Sequence, residues 1–93
     1  MRHGELPSGL TLQRTTPVFD SDDVPAGLRR AHRIAPEVWG AIEVLEGTLV
    51  FAWEEGVEPP VVLTAGDSLV IPPDVAHHVE PGPDARFHVR FHR

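Results

Sequence analysis

Ten prolines and eight glycines interrupt these 93 residues at short intervals. Proline removes a backbone donor and glycine loosens the backbone, so each works against a helix. Nowhere do ten or more residues keep a helical apolar period. Short runs of Val, Ile, Leu, Phe and Trp remain between the breaks, and these residue types favour strands. The pattern predicts an all-β chain of about eight short strands, folded as a sandwich or small barrel.

Read along the chain, residues 1–5 form a disordered start and 6–20 an extended N-terminal arm, with "LTLQRTTPVF" as its body. "SDDVPAG" is a turn. "LRRAHRI" reads as a strand, and "APE" bends the chain. "VWGAIEVLEGTLVFAWE" reads as a hairpin turning at Glu46–Gly47. "VVLTAGDSLVIPP" gives two strands around Gly66–Asp67. "DVAHHVEP" and "ARFHVRFHR" are the last two strands, separated by "PGPD". One domain spans 1–93, and at this size the core is modest, so a homodimer through an edge strand or the arm is expected.

Charge and composition exclude several functions. The formal net charge is −6, and an acidic surface repels phosphate backbones, so nucleic acid is not an expected partner. There is no cysteine, which removes thiolate catalysis and sulfur-ligated metals. No apolar run approaches the ~18 residues of a spanning helix. No apolar signal segment is visible either, and a cytoplasmic location is the expectation. Ser8, Ser21 and Ser68 lack an elbow motif, so no nucleophilic triad is read.

The histidines carry the chemical interest. Successive side chains of a strand point to opposite faces. In "DVAHHVE", Val75, His77 and Val79 share the more apolar face, so His77 points inward and His78 outward. In "LRRAHRI", Leu28, Arg30, His32 and Ile34 share the face that carries the large apolar residues, which turns His32 inward. In "RFHVRFHR", Phe87, Val89 and Phe91 face the core, leaving His88, Arg90 and His92 opposite. An inward neutral imidazole is a ligand for zinc, iron, nickel or copper; its plain alternative is a core histidine bonded to backbone.

"GDSLVIPPDVAH" resembles the second motif of the cupin family, small β-barrels of jelly-roll type. Gly66, Pro72, Asp74 and His77 fall at the family's spacing, with Asp74 where glycine is usual. The first motif, within "GLRRAHRIAPEVWGAIEVLEG", is half present: His32 stands in place, Ile34 replaces a second histidine, and Gly40 replaces the usual glutamate. "LPSGLTLQRTTPVFDSDDVPAGLRRAHRIAPEVWG", "VLEGTLVF", "VIPPDVAHHVEP" and "RFHVRFHR" together resemble the TehB/YeaR-like cupin domain, from Leu6 to Arg93. Arg90 departs from an acidic residue expected there.

The resemblance implies a jelly-roll fold, a bacterial origin, and a loose association with tellurite or nitrosative stress. A complete cupin centre would use about three histidines and a carboxylate. Here it implies a divalent ion (zinc, iron, nickel or manganese) on His32 and His77, with Glu37 as third donor. Trp39 and His88 are read as pocket residues. Three functions follow: a metal-binding cupin for a small polar or anionic ligand, a metal-dependent oxygenase or isomerase, or a metal-free binding or assembly module. Methyltransferase activity does not follow, because no Gly-rich cofactor loop is present.

Overall fold

The computed structural model describes residues 1–30, 32–54, 56 and 58–93. Its strands are β1 (Arg2–His3), β2 (Leu12–Thr15), β3 (Phe19–Asp20), β4 (Trp39–Glu46), β5 (Thr48–Trp53), β6 (Val61–Thr64), β7 (Ser68–Ile71), β8 (His77–Pro81) and β9 (Arg86–His92). One 3-10 turn, Ala26–Arg29, lies between β3 and β4. Among the described residues no helix is long and apolar enough to cross a membrane.

The strands make two sheets. The larger runs β1-β7-β4-β9-β2, with β3 also paired to β9; the smaller runs β6-β5-β8. They form a jelly-roll-like sandwich rather than a closed barrel. Alternation explains the core between them. Ile42 and Val44 of β4, Leu49 and Phe51 of β5, Leu63 of β6 and Phe87 of β9 are all almost fully buried. Ala41 and Glu43, Val50, and His88 and Arg90 take the outer faces, as the period-2 reading expects.

Strand pairing differs from the sequence reading at two places. The Glu46–Gly47 turn is not a hairpin: β4 pairs with β7 and β9, while β5 pairs with β6 and β8. Gly47 is a corner that passes the chain from one sheet to the other. It sits at φ +71°, and a Cβ there would meet the Asp84 carbonyl at 2.5 Å. Gly66–Asp67 is a second corner, joining β6 to β7. The Asp67 carboxylate accepts the Thr64 N–H at 2.8 Å, and with the terminal ammonium of Met1 this holds its pKa down at about 2.

The second difference is "LRRAHRI". Pro25 and Gly27 flank the start of the 3-10 turn, and among the described residues of this stretch only His32 pairs as a strand would. His32 and His77 exchange backbone hydrogen bonds of 2.8 and 2.9 Å, extending the small sheet by one residue. At the start of the chain, Arg2 and His3 lie parallel to Ser68 and Leu69 of β7.

Candidate functional site

A cavity of about 280 Å³ opens between the two sheets. Its wall is mainly apolar, with Ile34, Ile42, Ile71, Val79, Phe87 and Val89 among the residues that line it. The polar part is Arg14, Thr16, His32 and His77, and no Asp or Glu is among the lining residues. Such a volume falls just below the range of drug-sized pockets.

His77 is only 4% exposed. Its ring stacks on Phe51, with centroids 5.2 Å apart. Nδ1 donates to the Val75 carbonyl at 2.9 Å. A carbonyl can only accept, so the proton sits on Nδ1, and the Nε2 lone pair meets no hydrogen-bond donor among the described residues. Burial pushes the His77 pKa down, the Val75 hydrogen bond opposes this, and the neighbouring His32 adds to the lowering. His77 is therefore neutral at pH 7, the form that accepts a hydrogen bond or binds a metal.

His32 meets His77 edge-on, with ring centroids 5.3 Å apart. The backbone bridge between the two residues fixes this approach. The inward pair read from the sequence is thus brought together in one cavity wall. The other three residues read as site members are not. Glu37 sits at φ +70°, its side chain is 77% exposed, and it lies 3.6 Å from Arg93. Trp39 lines a different cleft, near the chain start, with Arg2, His3 and Trp53. His88 lies on the outer face of the large sheet, 2.9 Å from Glu43. Arg90 shares that carboxylate at 2.9 Å, so Glu43 is the partner of the arginine that stands where an acid was expected.

The residues present do not fit a complete cupin metal centre. Among the described residues no three His, Asp or Glu side chains cluster as a metal site. Two imidazoles fall short of the three protein ligands usual for a catalytic zinc.

Arg14 was missed in the sequence because its place depends on a distant pairing. β2 lies against β9 with Arg14 opposite Phe91, and the guanidinium carbon sits 5.3 Å above the Phe91 ring. A shallow surface depression shares Arg14, His32, Ile34 and Phe91 with the cavity, which makes these four its doorway.

On the opposite face of the small sheet, His78 bonds Glu54 through Nδ1 and Glu80 through Nε2, the latter at 3.1 Å. Burial acts to lower its pKa, but the two carboxylates outweigh it and the net shift is upward.

Comparison with known proteins agrees with this architecture. A protein from E. coli strain K12 superposes with a TM-score of 0.84 at 26% identity, over 96% of this chain and 95% of that one. TehB from Haemophilus influenzae superposes at 0.82 and 26% identity over 91% of this chain, which spans 32% of that protein. A cupin-2 domain protein from Shewanella frigidimarina shares the fold at 0.54 and 21% identity, over 87% of this chain and 64% of that one. A comparison with curated proteins found no match. The TehB-like domain family matches residues 14–89, most of the chain. The chain belongs to the TehB-like domain family.

Proposed function

We propose that this domain binds a small molecule in the cavity between its sheets, with the ligand's polar end at His32 and His77. The observation that supports this is a largely apolar cavity holding two imidazoles, one of them buried and neutral. Apolar walls with a few convergent polar groups are the usual make-up of a ligand pocket.

The 5.3 Å approach of the two rings favours a second reading. A divalent ion (zinc, iron, nickel or manganese) would be held by both imidazoles and completed by ligand or water. An oxygenase or isomerase built on that ion would need a further donor, and Glu37 is turned away from the pair. A stress role of the tellurite-resistance kind belongs to the same proposal, as does a homodimer formed through the N-terminal arm or an edge strand. Light scattering checks the dimer, and tellurite sensitivity of a deletion strain checks the role.

Elemental analysis of untagged protein, paired with thermal-shift screening of small ligands, separates the two readings. Stabilisation by a ligand, lost in His77→Ala, with no metal retained after incubation with the four ions, supports the first. Near one metal per chain, lost in both His32→Ala and His77→Ala, supports the second. Neither metal nor ligand would overturn both.

A further inference from the structure

The charge around the doorway narrows the chemistry of the ligand. This inference rests on the small-molecule reading above. The chain is acidic, with 14 Asp and Glu against 8 Lys and Arg, yet among the described residues no carboxylate lines the cavity. Most arginines with a described side-chain partner meet an acid: Arg2 with Glu5, Arg33 with Asp74, Arg86 with Glu46, Arg90 with Glu43 and Arg93 with Glu37. Arg14 has no carboxylate partner among the described residues and instead lies over Phe91 at the doorway. His32, beside it in the same doorway, makes no side-chain hydrogen bond among the described residues.

A cation entering this doorway would meet a fixed positive charge and, among the described residues, no compensating carboxylate. An anion would meet a guanidinium whose planar donors suit a carboxylate. Behind the doorway the wall turns apolar, at Ile42, Ile71, Phe87 and Val89. We infer that the ligand is a small organic monoanion, its carboxylate held by Arg14 together with His32 and His77 and its apolar body against the inner wall of the cavity.

The test is calorimetric titration of the full chain with three matched probes: benzoate, benzamide and benzylammonium. A second set, hexanoate with its amide and amine, removes dependence on ring shape. Benzoate or hexanoate is expected to bind at least tenfold more tightly than its neutral and cationic analogues. Arg14→Gln should weaken the carboxylate about tenfold and leave the amide unchanged, while Arg14→Lys should restore part of the loss. Raised salt should weaken the carboxylate alone. Amide or amine binding as tight as the carboxylate, or a carboxylate indifferent to Arg14→Gln, would overturn the inference and leave the cavity reading standing. No binding by any of the six probes would overturn both.

Discussion

His77 and His78 are adjacent in the chain, yet they belong to different environments. His77 faces the cavity, stacks on Phe51 and has its pKa lowered, chiefly by burial. His78 faces outward between Glu54 and Glu80 and has its pKa raised. The pleat alone separates them, because one residue of register exchanges faces. A strand can thus hold an uncharged hydrogen-bonding group inside while a charged cluster stays in solvent. Adjacent histidines in a sequence need not form a shared site.

The inner side of the small sheet should be far more sensitive than the outer side. Phe51 is fully buried, meets Trp53 edge-on and stacks on His77. Phe51→Ala should cost about 3–5 kcal/mol in denaturant unfolding, whereas Val50→Ala, on the outer face of the same strand, should cost about 1 kcal/mol or less. Equal losses would mean that the two faces have been misassigned.

The two corners give a second contrast. Gly47 has positive φ, and a Cβ would collide with the Asp84 backbone; Gly66 has φ +92° but open space around it. Gly47→Ala should destabilise by about 2 kcal/mol or more, and Gly66→Ala by about 1 kcal/mol, the strain of the left-handed region alone. Thermal unfolding of both variants checks the order.

The smallest effect is on pH dependence, and its sign differs between the two histidines. The folded pKa of His77 lies below its unfolded value near 6.5, so the unfolded state binds more protons as pH falls through 6.5 and stability declines. The folded pKa of His78 lies above 6.5, so its contribution is present below 6.5 and fades as pH rises through the folded pKa. Ring titration by NMR should place the His78 midpoint above 6.5 and the His77 midpoint below it. His78→Gln should remove stability at about pH 5 and change little at about pH 8. Coincident midpoints would remove the contrast.

The sequence made some of this legible for a physical reason. Period-2 alternation reports which face a side chain takes, so the inward His77, Phe87 and Val89 could be read directly. Pairing partners leave no such local mark. "VLEGTLVF" looks like a hairpin because two strands flank a glycine, and only packing against Asp84 shows that Gly47 is a corner between sheets. The alternation in "LRRAHRI" turns His32 inward, and its ring does meet that of His77, although among the described residues this stretch holds a 3-10 turn and one bridge rather than a strand. Glu37 looked available because it lies near His32 in sequence; its left-handed backbone and Arg93 turn it to the surface. Arg14 could not be read, since its position over Phe91 depends on register between the two ends of the chain.

The most direct test of the cavity as the binding site uses the isoleucines. All three in the chain, Ile34, Ile42 and Ile71, line it, and Val62 lies exposed on the outer face of the small sheet. In a methyl-labelled NMR titration with benzoate, the isoleucine methyls should shift together and saturate at one ligand per chain while the Val62 methyls stay fixed. Shifts confined to Val62, or isoleucine methyls that stay fixed at saturating ligand, would contradict the assignment of this cavity as the site.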